Sequence, residues 1–545
     1  MKSRNPIFRP WLLAGLALLA VPAAFPASVT DIGSRRELFV DDGLVERLSG
    51  GAQLRLHHPV PREMAVVHDA PWEGSGSGYH SVYKDGDLYR MYYKAYDLQP
   101  AYEADRDKKP AKPPHLLCAY AESDDGIHWR KPALGLHEFN GSKANNIVMV
   151  SGKIGGVDAD AAHPAVFKDG NPAAAPDARY KAILRSREPR GLLAFKSPDG
   201  LRWSPMADRP IITDGAFDSQ NLAFWDAERG EYRAYWRYFD QGTPDKPYAG
   251  VRAIRTATSK DFIHWENQQD VAYVDSPNEH LYTNQVLPYY RAPHLYIGFP
   301  TRYRERGHED KPDIVHVSGK RTPEEHQARI AQWSASLLAL PEREHRKMRG
   351  AAHERYGATL TEGLLMASRD GVNFKRWNEA FLPPGIEREG TWNYGHQYIA
   401  WHVVETKSAL EGAPNELSLY AGESYWTAPG SALRRYTLRL DGFVSVEAPM
   451  SGGELLTKPI RFKGRQLALN FSTSAAGSVR VEIQDLEGRP LPGFALADCP
   501  PVFGDTIDRA VIWKNGADVG TLTGKPVRLR FVLQDAEVYA YQFKE

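Results

Sequence analysis

The chain has 545 residues, with 68 basic and 68 acidic side chains and a formal charge of zero. That balance excludes the basic excess of a nucleic-acid binder and an acidic solvating tail. Two cysteines exclude a disulfide scaffold or a cysteine-rich metal site. In chain order, Lys2, Arg4 and Arg9 come first, then the apolar run Trp11 to Val21 and a small-residue stretch ending at Ala27. This is the layout of a secretory signal peptide over residues 1–27, and its apolar run is too short to span a bilayer. Its removal takes away three basic and no acidic residues, leaving a net charge of −3. The expected location is secreted or periplasmic. The protein is then expected to have no membrane association and no nucleic-acid partner; oligomeric state is not legible. Cys118 and Cys499 are read as two separate buried thiols.

Internal similarity organises the middle of the chain. Four segments share Ser-x-Asp-(Gly or Phe)-x-x-aromatic: Ser123 to Trp129 (with one extra Asp), Ser197 to Trp203, Ser259 to Trp265 and Ser368 to Phe374. Leu440-Asp441-Gly442-Phe443-Val444 is a degenerate fifth copy. Asp-Gly between strand-like runs is a hairpin signal. Two further runs precede each hairpin, such as Tyr79 to Tyr83 and Leu88 to Tyr93 in the first unit. Four strands per unit, five times, predict an all-β chain built on a five-bladed β-propeller over residues 57–449. The aromatic and glycine content leans the same way. A polar excursion interrupts the fourth unit at about 302–357. In it Thr322-Pro323-Glu324-Glu325 is a capping box, so a helical insertion is expected, with a lid over the channel as its functional alternative. Alternating runs after Met450 predict a β-sandwich over residues 450–545. Residues 28–56 read as a leader strand region against the propeller or the sandwich.

Inner strands of a propeller line a central channel, and the loops leading into them converge at one mouth. Polar residues before each inner strand are therefore the candidates. Blade one offers Asp69, Trp72, Glu73 and His80. Blade two offers His163, with Asp158 and Asp160 read as a solvated loop. Blade three offers Asp218 and Asn221. Blade four offers Glu279, His280 and Asn284, with Arg302 after the next strand. Blade five offers Trp392, Tyr394 and His396, and Glu423 after its second strand. Paired carboxylates beside aromatic platforms suit glycosidic-bond cleavage, in which one carboxyl protonates the leaving oxygen and another activates water or attacks. The catalytic candidates are Asp69, Glu73, Asp218 and Glu279; the others are candidate sugar contacts. No serine-hydrolase elbow or zincin motif is present. No cofactor is expected, and a structural Ca²⁺ in the channel stays open.

Several segments resemble secreted bacterial proteins of the five-bladed β-propeller glycosidase superfamily, which includes glycoside hydrolase families 32 and 43. They are Leu38 to Asp42, Asp69 to Gly74, Asp87 to Tyr93, Asp218 to Asn221 and Leu433 to Phe443. The resemblance implies a propeller followed by a sandwich, a carbohydrate substrate, and three acidic residues on the first three blades. Asp69 matches the first by position. Asp218 is similar in placement to the third, where a Glu is usual. Blade two has no clear acidic match, and the invertase-type Asn-Asp-Pro-Asn and Arg-Asp-Pro signatures are absent. The expected function is a secreted glycoside hydrolase. The alternatives are a non-catalytic carbohydrate-binding propeller and a glycoside phosphorylase, the last with Arg185, Arg187 and Arg190 as a phosphate pocket.

Overall fold

The computed structural model describes residues 29–97, 116–307, 322–352, 354–427 and 430–545. The predicted signal peptide lies outside the described residues. Five antiparallel blades follow in chain order. Blade one is Gly78–Asp85, Leu88–Ala95, Leu117–Ser123 and Ile147–Val150. Blade two is Val157–Lys168, Tyr180–Ser186, Gly191–Ser197 and Ser204–Pro205, with Gly152–Ile154 beside its first strand. Blade three is Leu222–Asp226, Glu231–Phe239, Arg252–Ser259 and Trp265–Asp270. Blade four is Leu287–Tyr289, Ala292–Gly298, Met366–Ser368 and Asn373–Arg376, with Ala272–Val274 added in parallel at its edge. Blade five is Val404–Thr406, Glu416–Glu423 and Ala432–Arg439, closed by Val60–Val67 from the start of the chain. Blades stack face to face, so their middle strands bury both sides. Met91, Tyr92 and Tyr93 are consecutive and all buried, which is why these strands read as apolar runs rather than alternations.

The repeated motif is the turn that ends the third strand of a blade. In the first copy Ser123 Oγ accepts from Gly126 N at 2.9 Å, while Asp125 Oδ1 accepts from the Ile127 and His128 amides at 2.8 Å each. Ser197/Asp199, Ser259/Asp261 and Ser368/Asp370 repeat these bonds. Serine and aspartate recur because these two side chains satisfy the turn's own backbone donors. The degenerate copy at Asp441 lacks that serine. It forms no hairpin within blade five: the strand after it, Val444–Ala448, pairs with Gln53–Leu56 and Arg528–Lys544. The fourth strand of blade five is instead Val60–Val67, whose ladder closes the ring with hydrogen bonds.

The propeller axis is filled rather than open. Gln220 Nε2 donates to Tyr79 O (3.1 Å), Ser81 Oγ (3.2 Å) and Pro164 O (2.9 Å). Gln285 Nε2 donates to Gln220 Oε1 (2.8 Å) and Ile399 O (2.9 Å). Two buried amides thus tie together the inner segments of all five blades.

The C-terminal sandwich is built on the long antiparallel pair Gln466–Gln484 and Arg528–Lys544. The leader region belongs to this layer. Arg36–Leu38, Val45–Gly50 and Gln53–Leu56 pair with Arg528–Lys544, Gly453–Thr457 and Val444–Ala448, and Thr30–Gly33 pairs in parallel with Ile460–Phe462. Val444–Ala448, on the propeller side of the predicted boundary at 450, also lies in this sheet. Phe299, Phe381 and Phe443 join sandwich residues such as Leu455, Phe471 and Val481 in one continuous core. Cys118 and Cys499 are free and buried.

The excursion in blade four is a ribbon, Thr301–Glu305 with Thr359–Gly363, carrying the helices Pro323–Ile330, Ala335–Ala339, Arg343–Ala352 and Arg355–Ala358. The capping box forms: Thr322 N donates to Glu325 Oε2 at 2.7 Å, and Glu325 N to Thr322 Oγ1 at 3.3 Å. Ile330, Trp333, Leu337 and Ala358 make the insertion's own small core.

Candidate functional site

In each blade the inner strand begins, and the second strand ends, at the same mouth. Blade one contributes Tyr79 and Lys94, blade two Asp160 and His163, blade three Asp218 and Arg237. Arg252 starts the third strand of blade three, and Tyr282 precedes the inner strand of blade four. Blade five adds Tyr394, Tyr398, Tyr425 and Trp426. Tyr79, Tyr282, Tyr303, Tyr394, Tyr398 and Tyr425 form one aromatic cluster. Tyr398 stacks on Tyr282 and on Tyr79, with centroids 5.4 and 6.3 Å apart. The Tyr394 hydroxyl donates to that of Tyr282 at 2.9 Å. Tyr356 of the insertion meets Trp426 edge-on at 4.1 Å and Tyr394 at 5.6 Å, so the insertion forms part of the wall. Backbone strain gathers here too: Tyr79, Ser424 and Trp426 have φ between +53° and +62°, a conformation non-glycine residues adopt at a cost and mainly at functional sites.

Cations surround the rings. Lys94 Nζ donates to the Tyr425 hydroxyl at 3.0 Å and lies 4.9 Å from the Tyr79 ring. In the blade-three ladder Arg237 faces Ile254 and Phe239 faces Arg252, so Arg237 and Arg252 are diagonal neighbours on one face. Their guanidinium carbons lie 5.0 and 5.3 Å from the Tyr282 ring. Burial pushes Tyr282 upward, but the two arginines and the Tyr394 bond outweigh it and bring the phenol down to about 8. Burial pushes the Lys94 ammonium down to about 7, with Asp160 opposing only in part.

Asp160 and Asp218 share the mouth, and a third carboxylate, buried Glu305, accepts from the Tyr303 hydroxyl at 2.9 Å; burial pushes its acid upward. Asp218 is half-exposed and paired with buried Arg237. Asp160 is buried, with His163 Nδ1 at 3.4 Å and Arg187 Nη2 at 3.2 Å. Burial alone would raise the Asp160 carboxyl. The His163 ring, the Ala162 amide and Arg187 outweigh it and hold the acid well below the usual range. Burial pushes His163 down.

Of the sequence candidates, Asp218, His163, His280 and Tyr394 are in or against this mouth; His280 Nδ1 accepts from the Arg252 amide at 3.1 Å. The stretch from Asp158 to His163 is strand rather than solvated loop, and Asp160 is buried in it. Asp69 is exposed and pairs with Lys131 at 3.2 Å. Glu73 has no exposed side-chain surface: Tyr93 OH (2.5 Å), Lys131 Nζ (2.6 Å) and Ala70 N (3.0 Å) occupy it. Trp72 Nε1 donates to Asn146 Oδ1 at 2.7 Å. His80 is buried against His68, ring nitrogens 3.1 Å apart. Asn221 is spent on Phe217 O, Ser219 O and the Arg237 amide, and Asn284 on the Val286 amide. His396 Nδ1 accepts from Trp392 N at 3.0 Å. Glu423 is buried between Arg388 and Arg434. Glu279, Arg302 and Trp392 line a separate cavity of about 420 Å³ with Arg304 and Glu362. There Glu279 pairs with Arg376 at 3.0 Å and Arg302 at 3.5 Å.

Arg185 and Arg187 are turned to Asp160, and Arg190 donates to Pro244 O, so the three arginines form no common anion pocket. Among the described residues no group of three or more His, Cys, Asp or Glu side chains converges as a metal site.

Lys94, Arg237, Arg252, Tyr282, Tyr398 and Tyr425 escaped the sequence reading. Lys94 and Arg237 lie at the ends of second strands, away from the loops that lead into inner strands. Their signal was a cation inside an aromatic strand, as in Leu88–Ala95 and Glu231–Phe239.

No protein-family model and no curated protein matches the chain. Among solved structures it is similar to a glycoside hydrolase, with 13% identity, a TM-score of 0.40, and 70% of this chain and 92% of that one covered. It is similar to an N-acetylgalactosamine deacetylase from F. plautii in complex with blood group B trisaccharide (11% identity, TM-score 0.38, 70% and 94% covered). A glycoside hydrolase family 43 arabinoxylan arabinofuranohydrolase from Bacillus subtilis in complex with cellotetraose shares 12% identity at a TM-score of 0.29, with 90% and 99% covered.

Proposed function

We propose that the chain is an exported glycoside hydrolase that takes its sugar at the tyrosine mouth. The observation that carries this reading is the convergence there of stacked tyrosines with Asp160 and Asp218, contributed by all five blades. Flat aromatic faces suit the C–H faces of sugar rings. An ionised carboxylate suits the positive charge that develops at the anomeric carbon. Asp160, held ionised, stabilises that charge, and the half-exposed Asp218 activates water. Lys94, titrating near neutrality, supplies the proton to the leaving oxygen. Asp69, Glu73 and Glu279 have no part in this scheme, because their oxygens are engaged elsewhere or lie outside the mouth.

The test is reducing-end release from a panel of plant and algal polysaccharide fragments. Asp160→Asn and Asp218→Asn are expected to lose at least about 100-fold in rate with cooperative unfolding retained. Unchanged rates in both variants remove the assignment. One observation favours a second reading, a sugar-binding propeller without turnover: Asp160 and Asp218 are already paired with cations. Binding across the panel with no bond cleaved would establish it.

A further inference from the structure

Among the described residues, one buried cation at the mouth, Arg252, has no carboxylate in ion-pair contact. Arg237 is paired with Asp218, and Asp160 with His163 and Arg187. Arg252 is 2% exposed and sits among the rings of Phe239, Tyr282 and Tyr303. Among the described residues no carboxylate lies within ion-pair distance of it, Glu305 acting on it from beyond that range, and its Nε has no hydrogen-bond partner; its Nη1 lies 3.3 Å from His280 Nδ1. Lys94, 6% exposed, has the Tyr425 hydroxyl as its one hydrogen-bond acceptor among the described residues. An unpaired buried charge is among the costliest features a fold can carry. Lysine relieves that cost by releasing its proton. Arginine does not, since its guanidinium stays charged in proteins. Cation–π contact with three rings offsets part of the cost, yet Arg237 and Arg252 still stand side by side on one strand pair, and Asp218 pairs with Arg237.

We propose that this site takes an acidic saccharide, whose carboxylate or sulfate group is accepted by Arg252 beside Tyr282. The inference rests on the glycan reading above and names the class of sugar. An anion at Arg252 would meet the planar fork that recognises carboxylate and sulfate oxygens. The sugar ring bearing it would lie against the cluster of Tyr282, Tyr398 and Tyr79. Free inorganic phosphate would satisfy Arg252 equally but would leave the stacked rings without a partner, so the anion is assigned to the sugar.

The test is calorimetric titration of the full chain at pH 7 with digests of polygalacturonate, alginate and glucuronoxylan. Each is compared with its carboxyl-reduced counterpart, alongside a sulfated galactan digest and inorganic phosphate alone. At least one acidic digest is expected to bind tenfold or more tightly than its reduced counterpart, or the sulfated galactan tenfold more tightly than its desulfated form. Those two arms separate carboxylate from sulfate. Arg252→Met is expected to erase the difference, with unfolding temperature reporting that it folds. The acid-versus-reduced comparison on the native chain stands even if that variant does not fold. Equal binding of acidic and neutral forms overturns the acidic preference and leaves the glycan reading intact. Binding of phosphate with no saccharide overturns both, as does no binding by any member of the panel.

Discussion

Gly126, Gly200 and Gly371 occupy the left-handed position of the repeated turn, with φ of +73°, +80° and +80°. Each also lies against the preceding blade in the ring. A Cβ at Gly200 would meet the Tyr92 hydroxyl at 2.5 Å, and one at Gly371 the Tyr235 hydroxyl at 2.8 Å. The Tyr420 hydroxyl of blade five donates to Gly126 O of blade one. Gly200→Ala is therefore expected to cost about 1–3 kcal/mol, read as a lower denaturation midpoint at unchanged m-value. The third copy has Phe262 at φ +71°; its ring is fully buried against Phe167, Tyr232 and Trp265, which offsets the strain. A pH dependence arises from Lys94. Its folded value, brought to about 7 by burial, lies below the unfolded one, so between these values the unfolded chain binds more protons and stability rises with pH. Lys94→Met is then expected to raise the unfolding temperature more at pH 6 than at pH 9. As proton donor, Lys94 also makes turnover fall as pH rises through about 7, and the Met variant should lose that limb.

Val60–Val67 is the element on which the ring depends. It pairs with Ala432–Arg439, Val67 opposite Ala432 and Val60 opposite Thr437, and Glu63 binds the largely buried Arg435. Besides it, blades one and five share a short backbone bridge, in which Val82 N donates to Trp401 O at 3.0 Å and Trp401 N to His80 O at 2.8 Å. Val66→Pro, at a buried position opposite Leu433, is expected to cost at least about 3 kcal/mol and to destabilise both neighbouring blades together. Independent unfolding of blade five, seen by hydrogen exchange, would contradict this. The insertion is the second element of consequence. Arg346 and Arg349 are buried and hold Asn393 Oδ1 at 3.2 and 2.7 Å, fixing the segment that carries Trp392 and Tyr394. Arg349→Met is expected to weaken sugar binding while leaving the sandwich core intact, as compared by ligand titration and exchange protection.

At the scale of the whole molecule, propeller and sandwich are joined through the leader. Asp441 is fully buried and meets Arg36 of the leader, Tyr289 and Arg291 of blade four, and Asn470 of the sandwich. Arg369 beside the blade-four turn binds Glu37 and Asp41, so Leu38 to Asp42 is an anchor. Asp441→Ala would leave two guanidiniums unpaired and is expected to cost about 3–5 kcal/mol, lowering the unfolding temperature of propeller and sandwich alike. The propeller was legible because its signals are local: a Ser-x-Asp turn satisfies itself within six residues, and blade strands are short apolar runs. Ring closure was not legible, because Val60–Val67 and Ala432–Arg439 pair across some 370 positions and neither strand's composition names the other. Asp218 and His163 were legible as polar residues at the entry to inner strands. Glu73 and Glu423 have the same sequence texture but are consumed by buried ion pairs, which only tertiary packing reveals.

Sugar binding at the tyrosines of the propeller mouth is decided by a crystal structure with the tightest-binding oligosaccharide. A sugar ring is expected against the cluster of Tyr282, Tyr398 and Tyr79, within hydrogen-bond reach of Asp160 or Asp218. A ligand bound instead beside Glu279, Arg302 and Trp392 in the cavity behind the ribbon would contradict it.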